Sequence, residues 1–234
     1  MPTWILLAQG PAFLSVLTVL LLGLLRLMIL TTWDILAAIR HAGDRRLPYR
    51  QIALQTLLWL LPFNKLHRNR AGYSLASISL HLGILIVSLS LRNHLDIIQE
   101  NIGFSWIAIA KPVLDVLTLI GIFGIVFLLL YRLYVINSRR LSRAADYLLL
   151  LILLNIFLSG YLAGRAWNPI PYDGLMLFHT LNGIALLLVT PFTKIAHCVL
   201  FPLIRLGTEV AWHFVPQNGR RPVQTIHEPE GRNI

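Results

Sequence analysis

A single cysteine, Cys198, is the whole thiol content of 234 residues. The chain alone therefore cannot build a disulfide framework, a Cys-ligated iron–sulfur cluster or a CxxCH haem attachment. Charge is equally scarce, at 13% of residues against 56% apolar. With a mean hydropathy of +0.70, that balance excludes a soluble globule, which needs far more polar surface, and points to a polytopic membrane protein. Met1–Pro11 carries no Lys or Arg and no A-x-A cleavage site follows the first apolar run, so that run reads as a retained helix and not a signal peptide. An internal repeat is missing, and so is any acid in the middle of the last two apolar stretches, which counts against a transporter or channel.

What is present reads as an all-α membrane protein, a bundle of five transmembrane helices. The expected spans are about 12–33, 72–92, 112–134, 146–162 and 175–203, within one transmembrane domain over 1–206, followed by a polar tail over 207–234. Arg26 within the first span reads as a snorkelling side chain. The apolar run Gln51–Phe63 is too short to cross a bilayer and is closed by Pro62, so it reads as a short interfacial helix. The net charge of +10 invites a nucleic-acid reading, but the bases sit in alternate loops. Seven of them (Arg40, Arg45, Arg46, Arg50, Lys65, Arg68 and Arg70) fall in the first loop, Arg139, Arg140 and Arg143 fall in the third, and more lie in the tail. That pattern predicts an outside N-terminus, a cytoplasmic C-terminus and a lipid environment, with no nucleic-acid partner.

The last stretch, Leu175–Arg205, carries His179 and His197, 18 residues apart. In one unbroken helix that interval is five whole turns, so both rings leave one face, roughly 27 Å apart along the axis and near the two edges of the bilayer. The second span carries His81, and His94 lies just past its end. With the predicted topology, depth pairs His81 with His197 on the inner side and His94 with His179 on the outer side. Each pair suits the two axial imidazoles of a b-type haem held non-covalently between helices, giving two haems. The alternative is four histidines hydrogen-bonded to neighbouring helices. His81 and His94 stand about 140° out of phase on a continuous helix, so the pairing requires tilt or a bend, for which Pro191 offers one place. His67 lies nearly in phase with His81 but outside the apolar stretch, while His41, His213 and His227 lie in polar segments.

Three segments, Asn69–Ile84 (NRAGYSLASISLHLGI), Arg143–Leu149 (RAADYLL) and Pro191–Pro202 (PFTKIAHCVLFP), carry a family likeness. The chain resembles the gamma subunit of respiratory nitrate reductase and the wider group of membrane haem b subunits of sulfite-reductase-linked and heterodisulfide-reductase-like complexes. The likeness runs from Asn69 to Arg205. It implies a five-helix, di-haem b subunit of a prokaryotic inner-membrane respiratory oxidoreductase. Such a subunit oxidises quinol from the membrane pool near the outer haem and passes electrons inward to a cytoplasmic iron–sulfur or catalytic partner. His81, His179 and His197 match the family pattern. The nitrate reductase interval lands on Leu91 instead of His94, whereas the broader relatives, with a histidine followed by a loop like GFSW, match His94 better.

On that reading the remaining residues acquire roles. Ligand rings need acceptors for their second nitrogens, and Ser77, Ser90 or backbone carbonyls one turn away are candidates. Gly83 and Gly183 give a porphyrin room to approach, or serve ordinary helix packing. Lys194 and Arg143 on the inner side, and Arg92 and Arg165 on the outer side, are candidates for haem propionates or for headgroup anchoring. His94, Asp96, Lys111 and Asp115 lie at quinol-site depth, and Lys111, a lone cation in an otherwise acidic outer region, is the first choice of donor to a quinone oxygen. Two other functions stay open. A haem-free anchor for a soluble redox enzyme predicts a colourless protein, and a transporter predicts broken helices or midplane charge.

Overall fold

The structure is a computed structural model and describes residues 2–42, 47–60, 71–165 and 170–212. Among these, helix is the only regular secondary structure. His67, His213, His227 and the tail over 213–234 lie outside the described residues, as do Arg45, Arg46, Lys65, Arg68 and Arg70 of the first basic loop.

In chain order the helices are α1 (Thr3–Leu7), α2 (Phe13–Ala42), α3 (Tyr49–Leu60), α4 (Ala71–Ser90), α5 (Arg92–Ile102), α6 (Lys111–Tyr134), α7 (Ile136–Leu141), α8 (Ala144–Ala163), α9 (Tyr172–Val189) and α10 (His197–Trp212). Five helical segments are long and apolar enough to cross a membrane: Thr3–Arg40, Ala71–Ser90, Lys111–Tyr134, Ala144–Ala163 and Tyr172–Phe192. The first begins well before residue 12. A π-turn over Ala8–Ala12 joins α1 to α2 and contains Pro11, which has no N–H to give to the ordinary helical ladder.

The second span ends close to where the sequence places it, with His94 beyond its end, and the last expected span is broken. α4 stops at Ser90, because Leu91 is extended (φ −74°, ψ 127°), and His94 therefore rides on a separate helix, α5. The 140° phase conflict between His81 and His94 belongs to a continuous helix and disappears with this break. The single helix expected over 175–203 is corrected. α9 ends at Val189, Thr190–Phe192 and Lys194–Ala196 form 3₁₀ turns, and His197 opens α10. Pro191 supplies the physical reason: it lacks the donor that would continue the ladder and its ring crowds the preceding turn. The five-turn argument linking His179 to His197 consequently does not apply.

The chain divides into two compact units, one formed by 1–20 and 65–189, the other by 21–64 and 190–234. In the first, α4 and α6 pack so closely that a Cβ on Gly124 would sit 2.7 Å from the Ala76 carbonyl oxygen. Small residues permit this backbone approach, the usual device where lipid removes the hydrophobic drive for helix pairing. Ala76, Leu80, Ile125, Leu128, Leu150 and Phe157 form the core there, and Phe157 brings α8 onto the pair. At the end of α6, the Tyr147 hydroxyl donates to the Arg132 carbonyl, and Arg132 donates to the Ser142 hydroxyl, tying α8 to the α6–α7 turn. The second unit has its own small core of Leu47, Ile52 and Val210, flanked by Ile39 and Leu206. Within it Arg205 and Glu209 are ion-paired on α10, and Gly23 of α2 lies against the Pro191 ring.

Candidate metal centre

The site is built from the end of a helix. The last four carbonyls of α4 have no intrahelical donors of the regular kind, and each finds another partner just downstream. Val87 O accepts from Leu91 N at 3.2 Å and Ser90 O from Ile109 N at 3.0 Å. Leu89 O accepts from the Trp106 indole at 2.6 Å. Ser88 O takes Nδ1 of His94, at 3.1 Å. The segment 91–110 is thereby folded back onto the helix it leaves. Gly103 closes α5 in the left-handed region at φ 79°, with its N–H on Gln99 O. Leu95 is fully buried beneath α5, and Asn101 donates to Gln9 O at 2.9 Å, pinning α5 to the N-terminal segment.

His179 arrives from α9 and is seated on α8. Its Nδ1 lies 3.1 Å from the Ser159 hydroxyl, and that hydroxyl donates to the Asn155 carbonyl at 2.6 Å. Since the Ser159 proton is committed to Asn155, the oxygen accepts and His179 Nδ1 carries the hydrogen. Gly160 lies directly under the ring, where a Cβ would fall 2.7 Å from its Cε1. The two elements bring His94 and His179 together with ring centroids 6.1 Å apart and planes only 9° from parallel.

That separation is informative. Rings in ordinary contact have centroids about 4.5–7 Å apart, and this pair lies within that range as well. A metal–imidazole bond of about 2 Å, with about 1.1 Å more from nitrogen to ring centre, puts the centroids of a trans pair roughly 6.3 Å apart. The pair matches that figure. Among the described residues no three His, Cys, Asp or Glu side chains converge as a metal group. Both rings hold a hydrogen on Nδ1, which in neutral imidazole leaves the Nε2 lone pair for the metal. His94 lies outside the spanning helices. Burial pushes its pKa below the ordinary 6.5, against the raising effect of the Ser88 and Val87 carbonyls, which keeps the ring neutral and competent as a ligand.

The other two predicted ligands show the same tautomer. His81 Nδ1 bonds the Ser77 carbonyl at 2.7 Å, one turn back on α4. His197 Nδ1 bonds the Lys194 carbonyl at 2.6 Å. His81 belongs to the first unit and His197 to the second, and each is described within its own. Ser90 bonds no ligand ring; its carbonyl holds Ile109.

Among the auxiliary residues, Gly83 serves helix packing: a Cβ there would meet Leu117 O at 3.1 Å, Gly121 Cα and the Phe157 ring. This corrects its assignment to porphyrin approach. Gly183, one turn beyond His179, would accept a Cβ with nothing within 4 Å. Lys111 is not the lone cation of the outer region. Its ammonium bonds Asp115 at 2.8 Å, and Arg165 reaches the same carboxylate at 3.2 Å while lying over the Tyr161 ring at 4.2 Å. Asp96 pairs with Arg92 at 3.0 Å, both well exposed on α5, while Arg143 is the N-cap of α8, its N–H held by Asp146. Lys194 is exposed in the second unit.

Ser159 and Gly160 are the residues beside His179 that the sequence reading misses. A signal was present: Gly160 and Gly164 form G-x-x-x-G, a pattern for close approach along one helix edge. Here the edge takes up side chains. His179 lies on Gly160, and the Lys111 ammonium lies 3.3 Å from where a Gly164 Cβ would be. The cationic cluster therefore stands one turn of α8 beyond His179.

The chain is similar to a protein of Nitratidesulfovibrio vulgaris, described simply as "Protein", with 34% identity over 172 residues that cover 70% of this chain and 75% of the relative. No family model matches. No solved structure matches either.

Proposed function

The chain belongs to the same family as the Nitratidesulfovibrio vulgaris protein, and we propose that it is a haem b membrane subunit of a respiratory oxidoreductase, moving electrons between quinol and a cytoplasmic partner. The single observation that carries the reading is the His94–His179 pair, near-parallel with centroids 6.1 Å apart. A bis-imidazole haem supplies one-electron transfer without an open coordination position. The chain's own groups bind and orient. His94 and His179 are the ligands, the Ser88 carbonyl and Ser159 hydroxyl fix their rings, and the open face at Gly183 gives lateral room. Lys111 and Arg165 share the one Asp115 carboxylate, and together they have more N–H donors than it can accept. The surplus serves a haem propionate or a quinone oxygen at this end of the unit.

The second haem, with His81 and His197 as its ligands, rests on the family resemblance of the sequence, since the unbroken helix that set the depth of His197 is absent. The orientation, with the N-terminus outside, and the cytoplasmic iron–sulfur partner on the basic face rest on the charge pattern of the loops, and the interfacial placement of α3 rests on its short apolar run. A chain with one cysteine must hand its electrons to a cluster held elsewhere.

A reduced-minus-oxidised optical spectrum with a pyridine haemochrome assay on the purified protein tests the reading. Two non-covalent b haems per chain are expected, and one in His179→Ala, which also loses reduction by a quinol analogue. A wild-type value near one leaves a single pair as ligands. A colourless protein overturns the reading and favours the haem-free anchor.

A further inference from the structure

Ser159 deserves a role because of how its hydroxyl is wired. It is 3% exposed, near the C-terminal end of α8. A serine there ordinarily bonds the carbonyl one turn back and does nothing else. Ser159 does bond that carbonyl, Asn155 O at 2.6 Å, with the Ile156 carbonyl 3.2 Å away. Those two acceptors fix the direction of its only proton. Its oxygen lone pairs then face the one donor beside them, His179 Nδ1, at 3.1 Å. His94, His81 and His197 bond main-chain carbonyls; His179 has the Ile156 carbonyl beside it and, in addition, a side-chain acceptor that a point substitution can remove. Gly160 presses the ring from below, which limits its freedom to turn toward another partner.

We propose that Ser159 is a positioning residue that sets the tautomer of His179 and tunes its strength as a ligand, through the relay His179 Nδ1–H, Ser159 Oγ–H, Asn155 carbonyl. The inference rests on the haem reading for its redox consequence and on the hydrogen-bond geometry alone for the tautomer. An acceptor on Nδ1–H increases electron density at Nε2 and favours the oxidised metal. A hydroxyl that is itself donating to a carbonyl is a better acceptor than an isolated one, because hydrogen bonds in series polarise one another. Removing it weakens Nε2 as a donor to iron and raises the midpoint potential of the haem at His94–His179.

The test uses the full-length protein, three variants of residue 159 and one of residue 94. Ser159→Ala removes the hydroxyl. Ser159→Thr keeps it, and Ser159→Val matches threonine in shape without it. His94→Gln in the same series identifies which haem is observed. In protein freed of haem, nitrogen-15 spectra of labelled histidine read the tautomer of His179. In the protein as purified, a redox titration reads the potential. The expected result is a predominantly Nδ1–H ring in wild type and Ser159→Thr, a shift toward Nε2–H in Ser159→Ala and Ser159→Val, and a higher potential in those same two variants. An unchanged tautomer in Ala and Val overturns the proposal, as does a threonine variant that follows valine, since that result assigns the effect to packing. If the tautomer shifts while no preparation contains haem, the haem reading fails and the tautomer role stands. If haem is present and the potential does not move, the tuning role fails.

Discussion

At His179 the ring touches a bare α-carbon, and that contact sets a sharp limit on substitution. In Gly160→Ala the new methyl would sit 2.7 Å from Cε1 of the ring, so the imidazole must swing off its axis. Perturbing groups that orient a ligand typically costs 10–100-fold in metal affinity, and about that loss is expected at this pair. The measurement is the haem retained after detergent washing, with the other haem as internal standard. His94 gives a pH prediction for the haem-free protein. Its folded pKa lies below the ordinary 6.5 because burial disfavours the charged ring, so below that pH the unfolded chain binds more protons than the folded one. Stability is then complete above about pH 6.5 and falls as acid takes the pH down through the folded value. Thermal unfolding followed across that window should show the loss, and His94→Gln, which cannot titrate, should flatten it. The four histidines were legible in the sequence because an imidazole at membrane depth is rare and conspicuous. Ser159 and Asp115 were not legible as partners, since one needs α9 laid against α8 and the other needs Arg165 returned to the start of α6.

Elements divide into those set by composition and those set by local breaks. α4, α6 and α8 lie within a few residues of the expected spans, because a long apolar run in lipid has little alternative to helix. The ends are a different matter. Pro191 was visible as a breaker, yet a single proline is often absorbed as a kink, and only the structure shows two 3₁₀ turns following it. The break at Leu91 had no breaker residue at all. It exists because downstream groups, the Trp106 indole among them, take over the carbonyls that α4 gives up, an exchange with no signature in hydropathy. The contact between α4 and α6 can be tested directly. Gly124→Ala directs a methyl at a main-chain oxygen 2.7 Å away, which cannot rotate aside, so the two helices must separate. Overpacking of this kind costs about 1–3 kcal/mol. Unfolding in mixed micelles should register it, whereas Gly183→Ala, with open space around it, should leave stability nearly unchanged.

For the whole molecule, charge asymmetry between loops is the guide. On the proposed orientation, with the C-terminus in the cytoplasm, a C-terminal green fluorescent protein fusion should fluoresce and a C-terminal alkaline phosphatase fusion should be inactive; the opposite pair of signals would invert every depth assignment. The cap at the end of α4 also bears on how the protein is made. Every group in it, from Leu91 through His94 and Trp106 to Ile109, lies within the first half of the chain. Domains form as the chain emerges, so His94 can be set in place while α8 and α9 are still untranslated. His179, with its seat on Ser159 and Gly160, comes 85 residues later by numbering (179 − 94). One jaw of the clamp is therefore ready early and waits for the other. On the haem reading, cofactor capture at this pair is tied to insertion of the fifth span, and a chain truncated before α9 would display a correctly turned imidazole with nothing to close upon it.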